Sequence, residues 1–472
     1  MAEGKQTYRE PAKEVPVLGE YDVIVCGGGP AGCAAAVYAA RHGVATLLVE
    51  KDGYLGGATV SQIVCTIHST NGADFQGVWH EFMAAMKRRG GTCPLWRQGD
   101  YQIHGCLDPE IVKYAWDDLL TEAGVTLLHH VYVAGTIVED GMVKGILVET
   151  KAGRAALYAR RVIDCTGDGA VCAQAGVPWE QGDGLHKWAM ALTKVFRLGN
   201  VHKPEGFPTA EHLRRMEEGL KGAVERGEYT TPVITTGHVL NYAKGWAWPL
   251  PEYRHEMRKV TSRVLQVDPL DPWDLTRAER EGREQAWQTA DFYRKYVPGC
   301  EHSYLLDTSN QIGVRSSRRI RGLETVTAQD VVEFRKYPDG IARGSWDIDV
   351  CPAESYTEAG VPRHDPAYRG HIEQLKCGDY YDIRYGCLVP QGVDNLLVAG
   401  RCLSAEHVAQ ASLRIQQTCM ATGQAAGTAA ALSLRRGVTP RELDPLEVVA
   451  QLEKDRAAVS EYPELGNLPG VS

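Results

Sequence analysis

Three glycines near the start of the chain carry the first chemical signal. Gly27, Gly29 and Gly32 form G-x-G-x-x-G around Pro30 and Ala31, and Glu50 follows at the spacing of an acid that holds a ribose hydroxyl. Gly27 would permit a tight turn, Gly29 would let the backbone approach a pyrophosphate, and Gly32 would let a helix pack closely on a strand. The helix start would then offer free N–H groups and a partial positive charge to the phosphates. Such a motif points to a dinucleotide without separating FAD from NAD, and a Gly-rich turn with no ligand is its bland alternative.

The elements that must position these residues are legible around them. Tyr21–Val25 (YDVIV) is a β-branched apolar run, as expected of a buried parallel strand. An Ala-rich helix is predicted over Cys33–His42, and a second strand, Ala45–Val49, ends in Glu50. Val125–Ile163 reads as alternating strands with turns at Glu139-Asp140-Gly141 and Lys151-Ala152-Gly153, a β-meander. Leu396–Ala399 is a further strand, ended by Gly400, and from about Thr418 the composition turns to that of a close-packed helix of small residues. Arg277–Arg294 reads as an exposed helix of mixed charge, and Pro445–Val459 as a short amphipathic one.

Bulk properties exclude several classes. With 472 residues, 44% hydrophobic and 24% charged, the chain is predicted to be globular and larger than one core. A net charge of −9 argues against nucleic acid as a partner. No apolar run approaches the roughly 18 residues of a membrane span, and the N-terminus is polar, so a cytoplasmic location is expected. Thirteen cysteines without a C-x-x-C pair suit reduced thiols, and no metal-ligand spacing is present.

Beyond Glu50 the chain reads Lys51-Asp52-Gly53-Tyr54-Leu55-Gly56-Gly57-Ala58-Thr59, which resembles the ribose-to-flavin stretch of fumarate reductase/succinate dehydrogenase-like flavoproteins. Three more blocks follow in order. They are Arg161–Ala170 (RVIDCTGDGA), Gln311–Ile320 (QIGVRSSRRI), and Tyr381–Pro390 with Asn395–Leu432. Together they resemble the FAD-dependent oxidoreductase family of the glutathione reductase type 2 superfamily. The resemblance implies an α/β fold, with a Rossmann-like FAD-binding domain (parallel sheet with β-meander) and an α+β substrate or cap domain. It places the FAD domain in two pieces, 18–175 and 380–440, the cap at 176–379 and a helical tail at 441–472.

It also implies FAD as cofactor, non-covalently held because no histidine precedes the double glycine in the matching place. The implied contacts are Gly27, Gly29, Pro30, Ala31, Gly32, Glu50, Lys51, Gly56, Gly57, Ala58, the backbone near Val133, Thr166, Gly167, Asp168, Gly400, Arg401, Gln417 and Thr418. Asp168 would bond the ribityl chain or cap a helix, and the helix from Thr418 would aim its N-terminus at the flavin pyrimidine edge.

For catalysis the resemblance singles out His407, as base or as a histidine bonding a carbonyl, and Arg414, as a charge stabiliser or a fold-holding ion pair. Gln410 stands where members often carry a second histidine, and Ile415-Gln416-Gln417-Thr418 where they often read Val-Met-Pro-Thr, so no substrate carries over. His68, with Cys65 and Ser61, would face the ring, while His186 and Trp188 would line a cavity or belong to the core. The cap also holds Trp179, Trp246, Trp248, Trp273, Trp287 and Trp346. The arginine run Arg315–Arg321 would bind an anionic substrate or, the favoured reading, form an ion-pair network at the domain junction.

The expected activity is a dehydrogenase or oxidase taking a hydride from a small organic substrate to flavin N5. With no second G-x-G-x-x-G for a nicotinamide, oxygen or an external carrier would accept the electrons. Its rivals are a flavin-dependent reductase of an activated double bond and a non-catalytic FAD-binding protein. A homo-oligomer stays open.

Overall fold

The computed structural model describes residues 7–70, 77–92, 96–97, 102–243, 255–356 and 379–459. The first strand, β1 (Val17–Cys26), is buried over Val23–Cys26, as a strand covered on both faces must be. It feeds α1 (Pro30–Arg41), where Pro30 takes the first helical position, one that needs no N–H. β2 (Thr46–Val49) returns parallel to β1, with Val23 opposite Thr46 and Cys26 opposite Val49. β3 (Thr126–Leu128) extends the sheet parallel to β2.

The meander follows as predicted. β4 (Tyr132–Glu139), β5 (Met142–Thr150) and β6 (Gly153–Asp164) pair antiparallel in succession. β6 then runs parallel to β1, bringing Asp164 beside Cys26. The far side of β6 receives β7 (Leu396–Val398), with Val398 opposite Asp164. Segments from both ends of the chain therefore meet in one sheet, ordered β3-β2-β1-β6-β5-β4, with β7 on β6.

The Ala/Gly-rich helix, α2 (Gln416–Arg436), lies against α1. A Cβ on Gly423 would sit 2.1 Å from the Ala31 carbonyl oxygen, and one on Gly427 2.1 Å from that of Ala35. The small residues are thus the condition for this close crossing.

The main core gathers β1, α1, β2, β6 and α2, and takes in Ile341, Ala342 and Ile383 from the antiparallel pair Gly340–Gly344 and Tyr381–Arg384. It draws on residues on both sides of position 380. A separate core contains Phe196, Met216, Val233, Met257 and Tyr293, covered by the helix Pro272–Tyr296, longer than predicted because Asp271 caps it through the Trp273 N–H. Trp273 and Trp287 project from that helix into solvent, whereas Trp346 is buried; Trp246 and Trp248 fall outside the described residues. The C-terminal helix, Pro445–Lys454, is shorter than its amphipathic pattern. No helix among the described residues is long and apolar enough to cross a membrane.

Candidate functional site

At the mouth of β1, Gly27 has φ +103°, and a Cβ there would meet the Cys165 carbonyl oxygen at 2.6 Å. A Cβ on Gly32 would fall 1.8 Å from the Gly27 oxygen, so α1 starts in direct contact with the turn. The Gly56–Gly57 turn closes over it: Gly56 N–H donates to the Gly28 carbonyl (2.9 Å), and a Cβ on Gly57 would lie 2.8 Å from Gly29 Cα. A Cβ on Gly29 would find only Gly57 Cα, at 3.9 Å. The Gly29 backbone is thus open to close approach beside the start of α1 formed by Pro30, Ala31 and Gly32.

Glu50 is buried at the end of β2, its Oε2 accepting from Gly28 N–H (2.6 Å) and its Oε1 from Asp52 N–H (2.8 Å). Burial pushes its carboxyl above the ordinary value, with both amides pulling the other way. Each oxygen keeps lone-pair capacity for a ribose hydroxyl. Lys51 instead turns to Asp52 (2.7 Å) at the surface. Ala58 opens the short helix Ala58–Ser61, and Val133 pairs with Val148 in the meander.

The loop after β6 is built on Asp164, which is fully buried and accepts from the Thr166 N–H and hydroxyl and from Cys172 N–H. Gly167 has φ +75°, and a Cβ there would meet the Arg401 guanidinium at 2.9 Å. Asp168 accepts from Arg401 (2.8 Å) and the Ser317 hydroxyl (2.6 Å); it does not cap the next helix, whose N-cap is Gly169. Gly400, at φ +81°, lies against Ala31. The Asp168–Arg401 ion pair, with the Ser317 hydroxyl bonded to it, thus joins the three blocks that the sequence sets far apart.

The arginine run is engaged in the fold. Arg318 donates to the Asp168 carbonyl (3.1 Å), Arg319 to that of Ala405 (3.1 Å), Arg315 to that of Ala191, and Arg321 pairs with Glu180.

The start of α2 fits a polar, anionic group. Its N-cap, Ile415, offers no side-chain acceptor to the first amides. Thr418, in the first turn, is fully buried, and its hydroxyl has no hydrogen-bond partner among the described residues. Gln417 is buried beside it. Gln416, which the sequence reading did not select, accepts from the Thr59 hydroxyl (2.7 Å) and donates to the Val64 carbonyl (2.5 Å), tying the stretch after Gly57 to α2.

A cavity of about 210 Å³ lies beside this cradle, lined in part by Asp183, Trp188, Met190, Cys351, Glu354 and His407. His407 begins the helix His407–Leu413, from which buried Gln410 donates to the Arg401 carbonyl (3.0 Å), so one element spans cradle and cavity. The Nδ1 of His407 is buried and has no partner among the described residues. Burial first, then the charge of Arg319, brings its imidazole down to about 4, so it is neutral near pH 7. Arg414 donates to the Asp349 carbonyl (2.8 Å) and approaches its carboxylate (3.4 Å). His186 stacks on Trp188 with ring centroids 4.2 Å apart. His68 pairs with His104 across two strands, and its side chain lies outside the described residues.

Packing also assembles what spacing did not announce. Ligand atoms of Asp183, His186 and Glu354 lie within 4.8 Å of one another, all three exposed, as carboxylates often stand with no ion. Asp183, Met190, Cys351 and Glu354 belong to no motif, and only the fold reveals them as lining.

The family model for FAD dependent oxidoreductases matches residues 22–454. The chain belongs to that family. This FAD-dependent oxidoreductase is 39% identical over 80 residues to the dihydrolipoyl dehydrogenase of Trypanosoma brucei brucei, covering 16% of this chain and 15% of that protein. It is 26% identical over 284 residues to the tRNA uridine 5-carboxymethylaminomethyl modification enzyme MnmG of Zymomonas mobilis subsp. mobilis, covering 57% of this chain and 40% of that one. The chain therefore spans less than half the length of these relatives. A solved structure similar to it, a geranylgeranyl bacteriochlorophyll reductase-like protein of Thermoplasma acidophilum, superposes with a TM-score of 0.44 at 13% identity, covering 93% of this chain and 84% of that one. Family membership makes FAD the dinucleotide and the chain an oxidoreductase.

Proposed function

We propose that this flavoprotein is a dehydrogenase or oxidase that oxidises a small organic substrate bound in the cavity beside His407. Bound FAD supplies the hydride acceptor, its N5. On this reading Gly29, Ala31 and Gly32 meet the pyrophosphate, Glu50 the ribose, Gly167 and the Asp168–Arg401 pair the ribityl region, and the start of α2 the pyrimidine edge. His407 accepts the substrate proton at Nδ1 as the carbon–hydrogen bond breaks. Trp188 and Met190 give the substrate an apolar wall, and oxygen or an external carrier removes the electrons from a cytoplasmic enzyme.

The observation that carries this reading is His407 on the cavity wall: its Nδ1 is buried with no hydrogen-bond partner among the described residues, its ring, which also meets the Gly182 backbone, is neutral, and its helix holds Arg401 through Gln410. A reductase of activated double bonds would need a free acid such as Arg414, whose guanidinium is instead directed to Asp349. Anaerobic mixing of the yellow holoenzyme with a panel of alcohols, amines and hydroxy acids tests the proposal. A substrate should bleach the flavin, with colour returning on adding oxygen or an acceptor dye; a spectrum unmoved by a substrate known to turn over rejects hydride donation.

A further inference from the structure

Cys65 and Cys106 bring their sulfur atoms to 3.2 Å, and both residues are wholly buried. The contact is fixed by backbone pairing. Cys65 immediately precedes the strand Thr66–Thr70, Cys106 ends the strand Gln102–Cys106 opposite Thr66, and Leu107 N–H donates to the Cys65 carbonyl at 2.8 Å. A disulfide has an S–S distance of about 2.05 Å, so closure needs the sulfurs to approach by about 1.2 Å, a movement within reach of two side chains.

The position of the pair points to its redox partner. Val64, the residue before Cys65, is held by Gln416, and Thr59 is held by the same side chain. Gln416 opens α2, whose first turn carries the unpartnered Thr418 hydroxyl assigned above to the flavin end. Contact with Cys106 and then burial push the Cys65 thiol well up, so attack on dissolved oxidants is disfavoured. The charges of Arg258 and Arg197 pull the other way on Cys65, and Arg258 also donates to the Ile63 carbonyl (3.0 Å). A thiol pair shut off from solvent is reached most readily by a partner built into the same site.

We propose that Cys65 and Cys106 form a redox-active dithiol that exchanges two electrons with the bound FAD. In the oxidising direction both S–H bonds break and one S–S bond forms, and the two electrons and two protons pass to the flavin, which goes from oxidised to reduced. In the reverse direction reduced flavin opens the disulfide. The enzyme then holds a second pair of reducing equivalents until its acceptor arrives. This inference rests on the reading that the flavin ring adjoins the stretch after Gly57.

The test is an anaerobic titration of the air-oxidised holoenzyme with dithionite, paired with thiol-specific alkylation under denaturing conditions and mass spectrometry. About four electron equivalents per flavin are expected, two for each couple, with Cys65 and Cys106 alkylated only after reduction. Cys65→Ser and Cys106→Ala should each lower the uptake to about two. If either variant loses FAD, the wild-type thiol assay alone decides. Uptake of two equivalents by wild type, with both thiols alkylated in the air-oxidised protein, would overturn the dithiol while leaving substrate bleaching intact. Failure of that bleaching with the four-electron uptake retained would instead overturn the proposed substrate oxidation.

Discussion

His407 gains its chemical character from its surroundings: an exposed histidine near pH 7 is partly charged, whereas burial keeps this imidazole neutral. Its descent to about 4 means that the acid limb of kcat/KM should lie near pH 4 and not near the ordinary histidine value of about 6.5. His407→Gln should slow anaerobic flavin reduction by about 10²- to 10⁴-fold and abolish that limb, with FAD content unchanged. Thr418 offers a second check at this scale. Thr418→Val removes a hydroxyl that has no partner among the described residues, so FAD should bind about fivefold more weakly, a loss of about 1 kcal/mol in a fluorescence titration. The glycines and Glu50 were legible in the sequence because a tight turn and a close backbone approach tolerate few residue types. Asp183, Met190 and Cys351 were not, because lining a cavity from loops sets no period and no spacing. The role of Asp168 needed the structure too: its partner Arg401 is remote in sequence, and an isolated aspartate after a glycine reads equally well as a cap.

The pairing of α1 with α2 carries the site at the scale of elements. The sequence showed each helix, one by the Gly-rich turn that starts it and the other by its run of small residues. It could not show that Gly423 and Gly427 meet the carbonyls of Ala31 and Ala35, because a stripe of small residues does not name its partner. A valine at either glycine must push the helices apart, moving the start of α2 away from the turn at Gly29. Gly423→Val should therefore lower stability by about 1–3 kcal/mol in urea unfolding and release FAD, seen as bright free-flavin fluorescence. The meander was legible from alternation and its two turns. The parallel return of β6 onto β1, and the arrival of β7 on β6, are long-range pairings that no local pattern encodes.

Several groups are buried in their neutral form across the whole molecule, and stability should follow pH accordingly. His238 and His407 are both brought down to about 4, mainly by burial. Between about 4 and the ordinary value of about 6.5 the unfolded chain binds more protons than the folded one, so stability falls as pH drops through that window. Lys259, buried with its Nζ donating to the Tyr242 carbonyl (2.9 Å), is lowered to about 7 by the same cause. Its contribution has the same sign at higher pH: stability rises from about 7 towards its unfolded value of about 10.4. Urea midpoints of the apoprotein should rise from pH 4 to 6.5 and again above pH 7, and Lys259→Met should flatten the second rise. Among the described residues the cores are separate, the largest around β1 and others around Phe196 and Tyr293 and around Leu192 and Val264. A crystal structure of the holoenzyme tests the placement of the flavin most directly. The pyrophosphate is expected against Gly29 and the start of α1, and the isoalloxazine at the start of α2 with His407 across the cavity from it. A flavin ring held elsewhere, with His407 remote from it, would contradict the assignment.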